Sequence, residues 1–278
     1  MSEYVIANAT VVPVRENPSE GSEQLTQLLF GEVCEVLDRL PRWTKVRSLV
    51  DGQEGWVDFK MVTLTSEPSE QLALRVLNAP VVATPMAAAT PMDGGADLLL
   101  TLGTRLPNYS HGTFEVLGQQ YLIDPTCVNI TTAQRSTGEA DLQQSDLQRS
   151  DLITIAQTLL NAPYLWGGKN AMGMDCSGFT QVVYAVFGVN LLRNAREQMT
   201  QGVIVPSLAE AQPGDLAFFD HADRDPKATN ISHVGLLLDN KKIIHCSGCV
   251  HVDDIDEVGI RLPNGELTHH LVQINRYL

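Results

Sequence analysis

The chain has 278 residues, 44% of them hydrophobic, enough to bury a sizeable core and to form about two or three domains. Its 33 acidic side chains against 19 basic ones give a formal net charge of −14, which speaks against a surface that tracks nucleic-acid phosphates and against anchoring on anionic lipid. Five cysteines, at 34, 127, 176, 246 and 249, are an odd number scattered over a long chain, so no disulfide framework is expected.

The N-terminus, Met1 to Asn8, has neither the basic region nor the apolar stretch of a secretory signal. No apolar run approaches the ~18 residues of a membrane span. A cytoplasmic protein without a membrane partner is the expectation; removal of a signal would leave the same N-terminus and make it periplasmic or secreted.

Residues 1–66 read as short strands, at 11–14, 32–37, 44–49 and 55–58, punctuated by Gly, Pro and Asp, which predicts a small all-β barrel. From 67 to 135 a weaker form of the same rhythm, at 98–104 and 112–121, predicts a second, divergent barrel, with the Ala/Thr/Pro/Met stretch 79–95 as a loop. Residues 136–150 are polar and read as a linker that turns helical near its end. Ser150 or Asp151 can cap a helix over 151–161, in which Ile155, Leu159 and Leu160 fall at helical spacing. After a loop at 162–175, the apolar positions Phe179, Val182, Val183, Val186 and Phe187 predict an amphipathic helix over 176–189. Strands are expected at 215–220, 233–239, 242–247 and 271–277. Helices first and an antiparallel sheet afterwards make 151–278 an α+β domain.

In that domain Cys176 sits in the first turn of a helix, after the glycine-rich Trp166-Gly167-Gly168. Free N–H groups and the positive end of the helix dipole favour a thiolate there and can hold an oxyanion. Taken alone this is weak, because cysteine is a common buried residue. A base is also needed, and His233 opens the apolar strand 234–238 while His245 ends the next one. If Asp239-Asn240-Lys241 is a three-residue hairpin loop, period-2 alternation puts both imidazoles on one face. A helix packed on that face could present Cys176.

The series Pro163-Tyr164-Leu165-Trp166-Gly167-Gly168, Asp175-Cys176-Ser177-Gly178-Phe179, Pro213-Gly214-Asp215-Leu216, His233-Val234-Gly235 and His245 resembles the NlpC-type cysteine peptidases, in their order and over nearly all of 151–278. Residues 29–57, from Leu29-Phe30-Gly31-Glu32 to Gly55-Trp56-Val57, resemble a bacterial SH3-like domain. The resemblance implies a papain-like α+β catalytic domain behind two SH3-like barrels, needing no metal or organic cofactor. It implies Cys176 as nucleophile, His233 as its base and His245 as the group that orients His233, a triad with histidine in the third place. Tyr164, Trp166, Asp175 and Ser177 would bind substrate around the nucleophile.

Family members with two SH3-like domains cleave murein peptides between γ-D-glutamate and a diamino acid, diaminopimelate or lysine. Some require a free N-terminal L-alanine, whose ammonium a carboxylate such as Asp175 suits, with Glu23 of the first barrel as a second acidic group. Arg193 and Asn194 match the stretch lining the diamino-acid side. Where such relatives often carry tyrosine in Asp-Gly-Tyr-x-Gly-Trp, this chain has Gln53; either another residue supplies that wall or the substrate's N-terminal side is held differently. The implied role is recycling of imported wall peptides.

The same residues admit other readings. His245-Cys246-x-x-Cys249-x-His251 has zinc-ligand spacing, but ligands at a strand end point alternate ways and no second Cys-x-x-Cys exists. The acidic run 253–257 and the loop 220–225 could hold a cation; a solvated face is preferred, as is a surface pair for His269-His270. An amidase or acyltransferase would share the cysteine chemistry, and a wall-binding protein would share the barrels.

Overall fold

The computed structural model describes residues 2–66, 71, 72, 76–129, 142–221 and 230–278. The first unit is a seven-stranded antiparallel sheet of β1 (Tyr4–Ala7), β2 (Val11–Arg15), β3 (Gln24–Leu29), β4 (Val33–Arg39), β5 (Trp43–Ser48), β6 (Glu54–Asp58) and β7 (Val62–Thr65), in the order β3-β2-β6-β5-β4-β1-β7. Alternation is clean in β2, where Val12 and Val14 point into a core shared with Val5, Leu28 and Val46. β3 was not visible in the sequence because Thr26 and Gln27 are buried in it. That strand faces another part of the protein, and polar side chains fill its inner positions.

The second unit contains β8 (Val81–Val82), β9 (Met86–Pro91), β10 (Leu98–Thr101), β11 (Thr113–Val116), β12 (Gln119–Ile123) and β13 (Val128–Asn129). The expected loop at 79–95 is therefore wrong at its centre. In β9 Ala87 and Ala89 are buried and Ala88 and Thr90 exposed, an alternation that residues of one small size conceal. The stretch 112–121 is a hairpin rather than one strand: Leu117 and Gly118, at φ 55 and 76, make a two-residue turn whose twist matches its strands. Strand pairing repeats that of the first unit. β9 lies between β10 and β12 as β2 lies between β3 and β6, β11 pairs with β12 as β5 with β6, and β8 with β13 as β1 with β7.

The third unit holds α1 (Leu142–Gln157), the small hairpin β14 (Lys169–Asn170) and β15 (Gly173–Met174), α2 (Cys176–Ala185) and α3 (Ala195–Gln198). Its sheet is made of β16 (Val203–Val205), β17 (Leu216–His221), β18 (His233–Leu237), β19 (Lys242–Ser247), β20 (Cys249–Ile255), β21 (Gly259–Arg261) and β22 (Leu267–Arg276), in the order β16-β22-β17-β18-β19-β20-β21, with β21 also pairing β22. The helix expected to start at Ser150 or Asp151 begins at Leu142, so neither residue is its cap. Leu, Gln and Arg over 142–149 are good helix formers, and Arg149 is anchored by the Pro213 carbonyl and the Asp215 carboxylate. Of the expected linker, 136–141 lies outside the described residues and 142–150 is helical. No helix among the described residues is long and apolar enough to cross a membrane.

The first and third units meet through buried polar contacts. Lys169 Nζ is 3.0 and 3.1 Å from the two oxygens of Glu32, Gln27 accepts from the Lys169 N–H, and Gln181 donates to Asp51. Both Lys169 and Glu32 are 4% exposed, so each charge depends on the other for solvation. Glu32→Ala strands the ammonium, and chemical denaturation of the full chain is expected to show a loss of roughly 3–5 kcal/mol; a loss below about 1 kcal/mol would mean that the contact opens to water.

Candidate active site

Local chain constraints set the site. Asp175 is the N-cap of α2: its Oδ1 accepts from the Gly178 N–H at 2.7 Å and its Oδ2 from the Gly167 N–H at 2.9 Å. The loop before the helix lies so close that a Cβ on Gly178 would sit 2.1 Å from the Gly168 carbonyl oxygen. At Gly167, with φ +73°, a Cβ would meet the Gln24 carbonyl of the barrel at 2.4 Å. Glycine is required at both places. Arg193, 1% exposed, donates to both Asp175 oxygens at 3.0 and 2.6 Å, to Ser177 Oγ, and to Thr26 Oγ1 of β3.

Cys176 follows as the first residue of α2, at the wall of a cavity of about 800 Å³. His233 lines the same cavity. The two imidazoles share a face: His245 pairs with Gly235, two residues along from His233, and His233 Nε2 lies 2.8 Å from His245 Nδ1. The helix, however, packs on the other face. Val234, Leu236, Ile244 and Cys246 meet its apolar side, out of phase with the imidazoles, while Leu237, Ile243 and Phe219 join the core on the imidazole side. Cysteine and histidine thus line the same cavity at the start of β18, with the Cys176 sulfur at the Val234 N–H, rather than facing each other across a packed face.

A carboxylate completes the line. His245 Nε2 is 3.1 Å from Asp253 Oδ2, and His251 Nε2 is 3.1 Å from the same oxygen. Asp253 belongs to the acidic run that the sequence suggested to be solvated. In the structure β20 pairs with β19, His251 opposite His245, and carries Asp253 two residues on to the same face. Two more of the run are engaged: Asp254 meets Lys242, and Asp256 accepts from Arg261 and from the Val258 and Gly259 N–H groups. His269 is likewise no surface residue, because its ring stacks on His233 with centroids 4.5 Å apart. Of the loop 220–225, 222–225 lie outside the described residues.

Electrostatics follow from burial. Loss of water pushes the Cys176 thiol up to about 12, with the Asp175 charge adding to the rise; the Val234 N–H at the sulfur works the other way. Burial, helped by His245 and His269, holds His233 well below the ordinary histidine value. Burial also lowers His245, against the hydrogen bond to Asp253. That same bond lowers the Asp253 carboxyl and keeps it ionised. The resting pair is a neutral thiol beside a neutral imidazole.

An ionised carboxylate only accepts, so His245 donates from Nε2 to Asp253 and a neutral His245 has its lone pair on Nδ1. His233 then donates from Nε2 to His245, and its Nδ1 carries the lone pair. Proton positions along the whole line are set by Asp253.

Tyr164, Trp166, Asp175, Ser177 and Asn194 also line the cavity, and Asn194 caps α3 in a capping box with Glu197. Arg193 does not line it, since both its guanidinium and the Asp175 charge it balances are buried in the wall. At the cavity wall Asp175 is therefore half of a neutralised pair rather than a bare anion. Glu23 lies at the barrel edge, where its Oε1 accepts from Trp166 Nε1 at 2.8 Å. Leu25 of β3 adds a wall residue absent from the sequence reading, and buried Ser232 Oγ has no hydrogen-bond partner among the described residues.

Residues 161–273 match the NlpC/P60 family and residues 10–62 the bacterial SH3 domain. The chain is 31% identical over 238 residues to the gamma-D-glutamyl-L-lysine dipeptidyl-peptidase of Bacillus cereus (strain ATCC 10987 / NRS 248), covering 79% of this chain and 66%, just under two thirds, of that relative. It is 29% identical over 232 residues to the Bacillus subtilis (strain 168) protein of the same name, covering 79% and 71%. A crystal structure of an NlpC/P60 family protein from Bacillus cereus ATCC 10987 superposes with a TM-score of 0.77 at 21% identity, covering 99% of both chains. That likeness is one of fold, a mixed α+β catalytic domain behind a bacterial SH3 domain.

A thiol near 12 and a depressed imidazole give a definite alkylation profile. The rate of iodoacetamide addition at Cys176, followed by peptide mass, is expected to keep rising through about pH 10. A plateau reached below about pH 8 would instead mark a preformed thiolate–imidazolium pair.

Proposed function

The chain belongs to the NlpC/P60 family through residues 161–273, with a bacterial SH3 domain at 10–62, and on that premise we propose that it is a cysteine endopeptidase cutting murein peptides between γ-D-glutamate and a diamino acid, lysine or diaminopimelate. The observation that carries this reading is the line Cys176, His233, His245, Asp253, running from a cavity wall to an ionised carboxylate. Cys176 passes its proton to His233 Nδ1 as the sulfur attacks the γ-carbonyl of glutamate. N–H groups at the start of α2 and the helix dipole hold the oxyanion. The His233 imidazolium protonates the leaving amine, and water, activated by the same ring, releases the acyl group. His245 orients His233, and Asp253 is a positioning residue that fixes both tautomers. Because the thiol is neutral at rest, this proton transfer accompanies attack.

The names of the two bacillary relatives support this choice of bond. A dipeptidyl-peptidase counts two residues from a free N-terminus, and Glu23 supports recognition of that ammonium: its Oε1 is held by Trp166, and its Oε2 has no partner among the described residues. With the Asp175 charge balanced by Arg193, Glu23, beside Trp166, is the first barrel's carboxylate for that cation, and Glu197 is a second carboxylate on the cavity wall. Tyr164, Trp166 and Ser177 contact the dipeptide, and Asn194 the diamino-acid side. Residues 67–135 are taken as a second SH3-like domain, supported by their repeated strand pairing. A cavity walled by the first barrel suits short soluble peptides, which supports recycling of imported wall peptides in the cytoplasm.

L-Ala-γ-D-Glu-diaminopimelate is expected to yield L-Ala-D-Glu with the wild type and nothing with Cys176→Ala, and N-acetylation of the alanine is expected to raise KM by about tenfold or more, the worth of a charge-assisted hydrogen bond. Equal cleavage of both peptides would remove the ammonium contact; no thiol-dependent cleavage of either would remove the peptidase. Asp253→Ala is expected to lower kcat roughly 10- to 100-fold with little change in KM, and an unchanged kcat would show that the tautomers need no such anchor.

A further inference from the structure

The far end of the histidine line contains a contact that the peptidase chemistry leaves unexplained. His251 Nδ1 is 2.8 Å from the Cys249 carbonyl oxygen, an acceptor only, so that nitrogen carries a proton. A neutral His251 ring then turns the lone pair of Nε2 toward Asp253 Oδ2, acceptor to acceptor, at 3.1 Å. Something positive has to stand between them, a second proton on the ring or a cation. The ligand-bearing atoms of His245, His251 and Asp253 all lie within 4.8 Å of one another. Ligands at about 2.0–2.1 Å on a tetrahedral zinc ion are spaced about 3.3 Å apart, close to the two 3.1 Å separations from Asp253 Oδ2.

We propose that His245 Nε2, His251 Nε2 and Asp253 Oδ2 form a regulatory site for a divalent transition-metal ion of the zinc type, and that its occupation switches off the catalytic base. Two imidazoles and one carboxylate select such an ion over calcium or magnesium, which take oxygen ligands. The outer contacts have the form of a metal site: each imidazole turns its other nitrogen to a hydrogen-bond partner, the Cys249 carbonyl for His251 and His233 for His245. His251, with a side chain 33% exposed, opens the cluster to solvent, and water completes the coordination. Cys246 takes no part, since its thiol donates to the Met174 carbonyl on the α2 side of the sheet.

The switch follows from proton positions. A metal on His245 Nε2 displaces the ring's one proton to solvent, and His245 Nδ1 takes the proton that His233 Nε2 had been donating to it. That Nδ1–H now donates to His233 Nε2, which has given up its proton along the same bond, and His233 takes one from solvent on Nδ1. Each ring ends with one proton, as it began. His233 is left with a proton on the nitrogen that must accept one from Cys176, so inhibition needs no metal on the thiol. The inhibitory part of this inference rests on the peptidase reading, whereas the metal site does not.

Zinc binds catalytic thiols as well, so the test separates the two sites. Calorimetric titration of the full-length Cys176→Ala protein with Zn²⁺ is expected to show one site, weakened at least about tenfold by adding His251→Gln. In the peptide assay, His251→Gln is expected to keep its basal rate while needing at least about ten times more Zn²⁺ for half-inhibition than the wild type, with chelation restoring both. Equal binding by the two Cys176→Ala proteins, or none, would overturn the site. Equal Zn²⁺ sensitivity of wild type and His251→Gln would assign inhibition to the thiol and overturn the switch. Should no peptide be cut at all, the calorimetric arm still decides whether the site exists.

Discussion

The buried ion pair of Asp175 and Arg193 is the constraint on which the site depends. One carboxylate caps α2, holds the Gly167 N–H of the preceding loop and neutralises the guanidinium. That guanidinium in turn reaches Ser177 and, across the domain boundary, Thr26. The position of Cys176, the close approach of the glycine-rich loop and the seating of the first barrel are thereby tied to the same few atoms. Removing either partner would leave a buried charge without solvation, so neither residue is free to vary for the sake of substrate. The cavity consequently has a rigid, locally neutral wall at this point, to which the barrel adds Leu25, with Glu23 beside Trp166 at its edge.

On the sheet side, order runs through hydrogen bonds rather than packing. The stack of His269 on His233 and the 2.8 Å contact with His245 fix the ring from two directions, and burial keeps it neutral. With thiol and imidazole both uncharged at rest, what the fold supplies is a definite proton inventory, set by one carboxylate at the end of the line. The same arrangement makes the proton on His233 sensitive to anything that changes the proton count on His245.

Much of this was legible in the sequence. The α+β class, the SH3-like barrel and the NlpC-type motifs could be read there, and period-2 alternation around a three-residue loop is enough to put His233 and His245 on one face. What was not legible has particular causes. Asp253 sits in a run of acidic residues whose composition suggests a solvated surface, and only the pairing of β20 with β19 shows which of them turns inward. The strand of β9 is hidden by alanine, too small to mark inside from outside. Arg193 reads as a cation available to substrate until its burial is known, and β3 looks polar because its inner face meets another domain. The start of α1 is not marked by a capping residue at Ser150 or Asp151, because ordinary helix propensity carries the helix back to Leu142.

The most direct test of the account is the intact mass of the protein quenched with acid during turnover of L-Ala-γ-D-Glu-diaminopimelate, with the modified residue mapped by peptide mass. The account predicts a thioester adding the L-Ala-γ-D-Glu acyl group on Cys176, lost on treatment with hydroxylamine and absent from Cys176→Ala. An adduct that retains the diamino acid, an acyl group on another residue, or dipeptide release that persists in Cys176→Ala would contradict it.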